Sequence, residues 1–281
     1  MSELQIGDVQ WLQIPNTQLL LPYRDILCAD GSYTRIEYYH DFDPKNPTAS
    51  ELFDYRFNLL WGEINNWQTV IADSSTSIEL AYRKKWEYKL APRTYQQTKG
   101  GKNKGDSDGN YDQRHWYGGS KHDLEEVYCQ RFPSLPMNVV LLTHIYEKTM
   151  DEGPFVGEII RNPDVPGMLR NNLTKHYMEC YRMYAMRDPS NPQQIHRVLQ
   201  TVIGEQFVAG SQISAPNPCY PHYESLWQNY TLTPTRPPLK VLVYGKQLVG
   251  KSTFAATFPG PRLVFMFDSH GKDFPYWRGG V

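Results

Sequence analysis

The chain has no C-x-x-C pair: its four cysteines, Cys28, Cys129, Cys180 and Cys219, stand far apart. That spacing argues against a zinc site and favours reduced thiols in an intracellular compartment. Excess charge is missing too, with 29 basic against 30 acidic residues, so composition alone provides no signature of nucleic-acid binding. Any such contact must come from a local patch. No apolar run approaches the ~20 residues that a membrane helix needs, and the opening MSELQIGDVQWLQIP lacks a basic segment followed by an apolar one. The expectation is a soluble cytoplasmic protein with no membrane partner and no secretory leader.

What is present is a series of short apolar runs bounded by polar, Pro or Gly residues. The clearest are Thr69–Ala72, Val139–Leu142, Val241–Tyr244 and Leu263–Phe267, with weaker ones at Arg35–Tyr39, Tyr177–Met186 and His196–Val202. Uninterrupted apolar runs of this length read as strands buried on both faces. Helical character marks Ala49–Asn66, Ser77–Leu90, Lys121–Phe132 and Ser252–Thr257. The alternation predicts an α/β fold with a mainly parallel sheet flanked by helices, in one domain spanning 1–281.

Two stretches break the rhythm. Thr94–Ser120 is polar, Gly-rich and too long for an ordinary connection. It reads either as a flexible surface insertion or as a loop contacting single-stranded DNA, since Lys99, Lys102, Lys104 and Arg114 sit beside Tyr95, Tyr111 and Trp116. Asp106, Asp108 and Asp112 dilute the second reading. Gln228–Pro238 contains three prolines and reads as a stiff linker ahead of the 239–281 segment.

The most specific signal lies in that last segment. Gly245-Lys246-Gln247-Leu248-Val249-Gly250-Lys251-Ser252 has the phosphate-loop spacing, follows an apolar run and precedes a helical start with Thr253. The glycines let successive N–H groups turn toward an anion, and the helix start adds its positive end. Lys251 would reach the β- and γ-phosphates of ATP and Ser252 would ligate Mg²⁺. A carboxylate should complete the metal site, and Asp73, ending the run Thr69–Ala72, is the candidate. Hydrolysis also needs a group to orient or deprotonate water. Asp268, after Leu263–Phe267, is the first choice and Glu37 the second. His144, after Val139–Leu142 and Thr143, is placed to sense the γ-phosphate.

These segments resemble the phage-encoded RecA-like ATP-binding proteins, the group that includes the Sak-type single-strand annealing ATPases. The resemblance rests on LKVLVYGKQLVGKSTFAATFPGPRLVFMFD, WQTVIADSSTSIELA, GGSKHDLEEVYCQRFPSLPMNVVLLTHI and RVLQTVIGEQFVAGSQISAPNP. It implies a RecA-like P-loop core, ATP and Mg²⁺ as ligands, assembly as a homo-oligomer, and a role in DNA recombination or replication through single-stranded DNA. In that family the phosphate loop comes first, then the Asp strand, then the sensor strand. Here Asp73 and His144 precede Gly245–Ser252, so the order resembles a circular permutation cut after Leu263–Phe267.

Two positions depart from the family. His270 stands where many relatives carry a catalytic Glu, and Gln212 where a basic intersubunit finger would be, leaving Arg197 or Arg187 for that role. A nucleotide-gated assembly protein with little hydrolysis is therefore a second reading, and a small-molecule kinase a third, disfavoured by the lack of an Arg-clustered lid.

Overall fold

The computed structural model describes residues 9–41, 46–90, 113–151, 156–167, 169–188, 190–191, 193–204, 207–231 and 235–267. Twelve strands lie among them, ten in one mixed sheet: β1 Gln10–Gln13, β2 Leu20–Leu27, β3 Tyr33–Tyr38, β4 Thr69–Asp73, β5 Asn138–Thr143, β8 Glu179–Arg187, β9 Ile195–Gln200, β10 Gly210–Ser211, β11 Lys240–Tyr244 and β12 Arg262–Met266. The other two, β6 Ile145–Thr149 and β7 Ile159–Pro163, form a separate antiparallel hairpin.

Neighbours across the large sheet run β1-β2-β3-β12-β4-β5-β11-β8-β10, with β9 sharing β8's outer edge. The six from β3 through β12, β4, β5 and β11 to β8 are mutually parallel. The flanking pairs β1–β2, β2–β3, β8–β9 and β8–β10 are antiparallel. All the carboxyl ends of the parallel strands therefore meet along one edge.

Alternation along these strands explains their continuous apolarity. Val70, Ala72, Val139, Leu141, Leu242, Tyr244, Leu263 and Phe265 face one core cluster; Ile71, Val140, Leu142, Val241, Val243, Val264 and Met266 face another. Successive side chains point to opposite faces, so a strand covered on both sides needs apolar residues at every position. The first face is covered by helices α1 Ala49–Leu60, α2 Ser75–Lys84 and α3 Gln113–Glu126. Their contributions include Phe53, Phe57, Ile78, Tyr82 and Leu124. The second is covered by the short helix α4 Lys251–Ala255 and by Ile213, Leu226, Trp227 and Leu239.

The expected strands all form, within a residue or two for the strongest runs. His196–Val202 forms β9, but as the antiparallel partner of β8 rather than a further parallel strand. Helix limits differ more. The first helix stops at Leu60, with only a 3₁₀ turn at Ile64–Asn66, and the second ends at Lys84 and widens into a π-type segment through Leu90. The expected loop 94–120 is shortened, because its last eight residues already belong to α3. Lys99, Lys102, Lys104, Tyr95 and Tyr111 lie outside the described residues.

Buried charge joins the first helix to the sheet. Glu37, on β3, accepts from Arg56 Nε at 2.8 Å and from Tyr39 Oη at 2.7 Å, with both charged side chains fully buried. Arg56 also binds Glu63 at 2.9 Å. Burial raises the Glu37 carboxyl pKa, and Arg56 opposes that rise. This engagement gives Glu37, the second choice for activating water, a structural part in holding α1 against β3.

Candidate functional site

The turn after β11 carries Gly245–Ser252, the segment with the phosphate-loop spacing. Gly245 is needed because a Cβ there would lie 2.4 Å from the Met183 carbonyl oxygen of the neighbouring β8. Leu248 (φ +59°) and Gly250 (φ +100°) both adopt left-handed conformations, which costs nothing for glycine and disfavours leucine. Leu248 is 89% exposed, whereas Val249 turns inward to the core. Lys246 and Gln247 are exposed beside it.

Lys251, the first residue of α4, is buried. Its ammonium folds back over the loop and donates to the carbonyls of Gly245 at 3.0 Å and Lys246 at 2.8 Å. Desolvation lowers its pKa to about 8, with the Asp73 carboxylate opposing the shift. A lysine so placed is a charge held in a low-dielectric surrounding, where an anion would gain most from it.

Asp73 closes β4 at the same edge. Its Oδ2 accepts from Ser252 Oγ at 2.6 Å, a contact between residues 179 positions apart. The registers explain the meeting: Asp73 stands opposite Leu142 of β5, whose neighbour Thr143 stands opposite Tyr244 of β11. The sheet thus carries the acid and the phosphate loop two strands apart, and the turn into α4 carries Ser252 back over β5.

His144 follows β5 at this edge and is half-buried. Its carbonyl accepts from the Asp164 N–H at 2.9 Å, while Thr143 Oγ1 donates to the Asp164 carbonyl at 3.0 Å. The β6–β7 hairpin continues directly from His144, and its Glu147 lies 3.8 Å from the exposed Lys246 ammonium. Thr253 is half-buried on α4. Asp268 and His270 follow β12 and lie outside the described residues.

Arg197 and Arg187 sit on the β8–β9 hairpin and are exposed. Arg197 is beside the phosphate loop of its own chain: a Cβ on Gly250 would lie 2.9 Å from its Cδ. No local sequence signal foretold that approach, because β9 and α4 are far apart along the chain. Comparisons with family models, curated proteins and solved structures found no match.

Proposed function

We propose that this chain binds ATP with Mg²⁺ at the carboxyl edge of the parallel sheet, as a RecA-like phosphate-loop ATPase whose strand order is circularly permuted. The observation that carries the reading is the Ser252–Asp73 hydrogen bond, which joins the hydroxyl of the phosphate loop to the acid expected to act with it. A hydroxyl and a carboxylate are hard oxygen donors suited to Mg²⁺, which keeps water and substrate phosphates as its remaining ligands. No three His, Cys, Asp or Glu side chains converge among the described residues, so phosphate and water would complete the shell.

In this reading the N–H groups of Gly245–Ser252 cradle the phosphates, and the Lys251 ammonium leaves the Gly245 and Lys246 carbonyls to pair with the β- and γ-oxygens. Asp268 orients the attacking water and His144 responds to the γ-phosphate. The role in DNA recombination or replication, the single-stranded DNA partner and the homo-oligomeric state follow from the family resemblance. His270, where a Glu is expected, favours the second reading of a nucleotide-gated assembly protein that turns over little.

Titration calorimetry with MgATP tests the site. Lys251→Ala should weaken binding at least ~100-fold, as expected for losing a buried charge-assisted contact. Asp73→Asn should remove most of the magnesium dependence of ATP affinity. Unaltered ATP affinity in Lys251→Ala would refute the assignment. Steady-state phosphate release with and without single-stranded DNA then separates the readings: stimulation supports the recombination ATPase, and no turnover in either condition supports the assembly protein.

A further inference from the structure

A cavity of about 490 Å³ opens beside the phosphate loop, bounded by the β8–β9 hairpin, the segment Pro218–His222 and α4. Its wall includes Met186, Arg197, Tyr220, His222, Gly250 and Thr253. This volume lies within the ~300–1,000 Å³ of small-molecule sites. Gly250 and Thr253 belong to the phosphate loop and the start of its helix, so the cavity and the loop share a wall.

The sheet order sets the direction of any ligand spanning both. Asp73 ends β4 and His144 follows β5, on one side of β11; the cavity belongs to β8 and β9, on the other. A triphosphate whose γ end faces Asp73 and His144 points its α end toward the cavity. Whatever is esterified to the α-phosphate then enters it.

The lining suits a nucleoside. His196 and His222 are engaged, His196 with Asp188 at 3.1 Å and His222 as acceptor from the Glu224 N–H at 3.2 Å. Arg197 and Tyr220, by contrast, make no side-chain hydrogen bond or ion pair among the described residues, and Tyr220 is 68% exposed. An aromatic face and a guanidinium at an apolar wall of Met183, Met186 and Phe254 are groups on which a base stacks. The stem of Arg197 runs over Gly250, where any side chain would displace it.

We infer that this cavity holds the nucleoside of the bound triphosphate, with Tyr220 stacking on the base and Arg197, from the same chain, linking the base site to the phosphate loop. The inference rests on the phosphate-loop reading but concerns different residues, and its test separates the two. Calorimetry would compare MgATP with magnesium tripolyphosphate on the wild type, Tyr220→Ala, Arg197→Ala and the double variant. The wild type should bind ATP at least ~10-fold more tightly than tripolyphosphate, the order expected of one base stack. Tyr220→Ala should lose about that tenfold for ATP and keep its tripolyphosphate affinity, which also reports that the loop is folded. The double variant should lose more. Equal affinity of the wild type for the two ligands, or unchanged ATP affinity in the double variant, overturns the nucleoside site while leaving the phosphate loop standing. Failure of the wild type to bind either ligand overturns the phosphate-loop reading, and this inference with it.

Discussion

Lys251 shows how burial would couple to binding at the proposed site. Removal from water brings its pKa down to about 8, so the ammonium begins to discharge near physiological pH. A polyphosphate beside it favours the charged form and would raise that value, so binding takes up protons around pH 8. The sign follows: if the proposed site holds, affinity for MgATP should be full below about pH 7.5 and fall as pH rises through 8, by up to about tenfold per unit. Calorimetry from pH 7 to 9.5, with buffers of different ionisation enthalpy, checks both the decline and the proton uptake. A flat profile would mean that Lys251 keeps its charge by another route. The motif spacing made Lys251, Ser252 and the two glycines legible from the sequence. Burial and pKa were not, because they depend on how the ammonium folds back over the loop and on Asp73, which approaches from β4.

At the scale of elements, the Arg56–Glu37 pair decides how α1 seats on β3. Arg56→Ala would leave a carboxylate buried on the strand, at a cost of about 3–5 kcal/mol measured by urea denaturation. Replacing both residues with leucine should cost much less, because no charge is left buried on the strand and Glu63, which also loses Arg56, is about a third exposed. If the double variant is as damaged as the single, packing rather than charge holds the joint. Strand cores such as Val139–Leu142 and Val241–Tyr244 could be read directly, since two-sided burial demands unbroken apolarity. The strands β1, β2, β6 and β7 could not: they are partly exposed and mix polar with apolar residues, so no period stands out. Helix limits were imprecise for a related reason. Trp61 and Lys85 end their helices with right-handed backbone angles; Gly62 follows the first without turning left-handed, and no glycine follows the second.

For the whole molecule, the strand arrangement bears on the proposed permutation. The chain visits β4, β5 and β8 before β11 and β12, yet β11 lies between β5 and β8, and β12 between β3 and β4. Inserting late strands into gaps left by earlier ones keeps the phosphate loop and its helix continuous. A rearranged chain tests this: join Val281 to Met1 through a flexible Gly/Ser linker and open new ends between Tyr230 and Arg236. The cut spares Trp227, which meets Tyr230 at 4.9 Å and Arg236 at 5.2 Å. Surface connections commonly tolerate such cuts. MgATP affinity should stay within about threefold of the wild type, the level expected when the site's strands are untouched. Loss of cooperative unfolding would show that the present order is itself required for folding.

The sequence by itself determined the α/β class, the strongest strands and the phosphate-loop motif, because local spacing and two-sided burial leave their mark residue by residue. Only the tertiary structure decided that Ser252 meets Asp73, that Glu37 serves α1, and that Arg197 lies against Gly250 of its own chain. Those outcomes depend on which strands are neighbours and in what register. Pairing of that kind is set by the packing of the whole sheet and not by the residues on either side of each position.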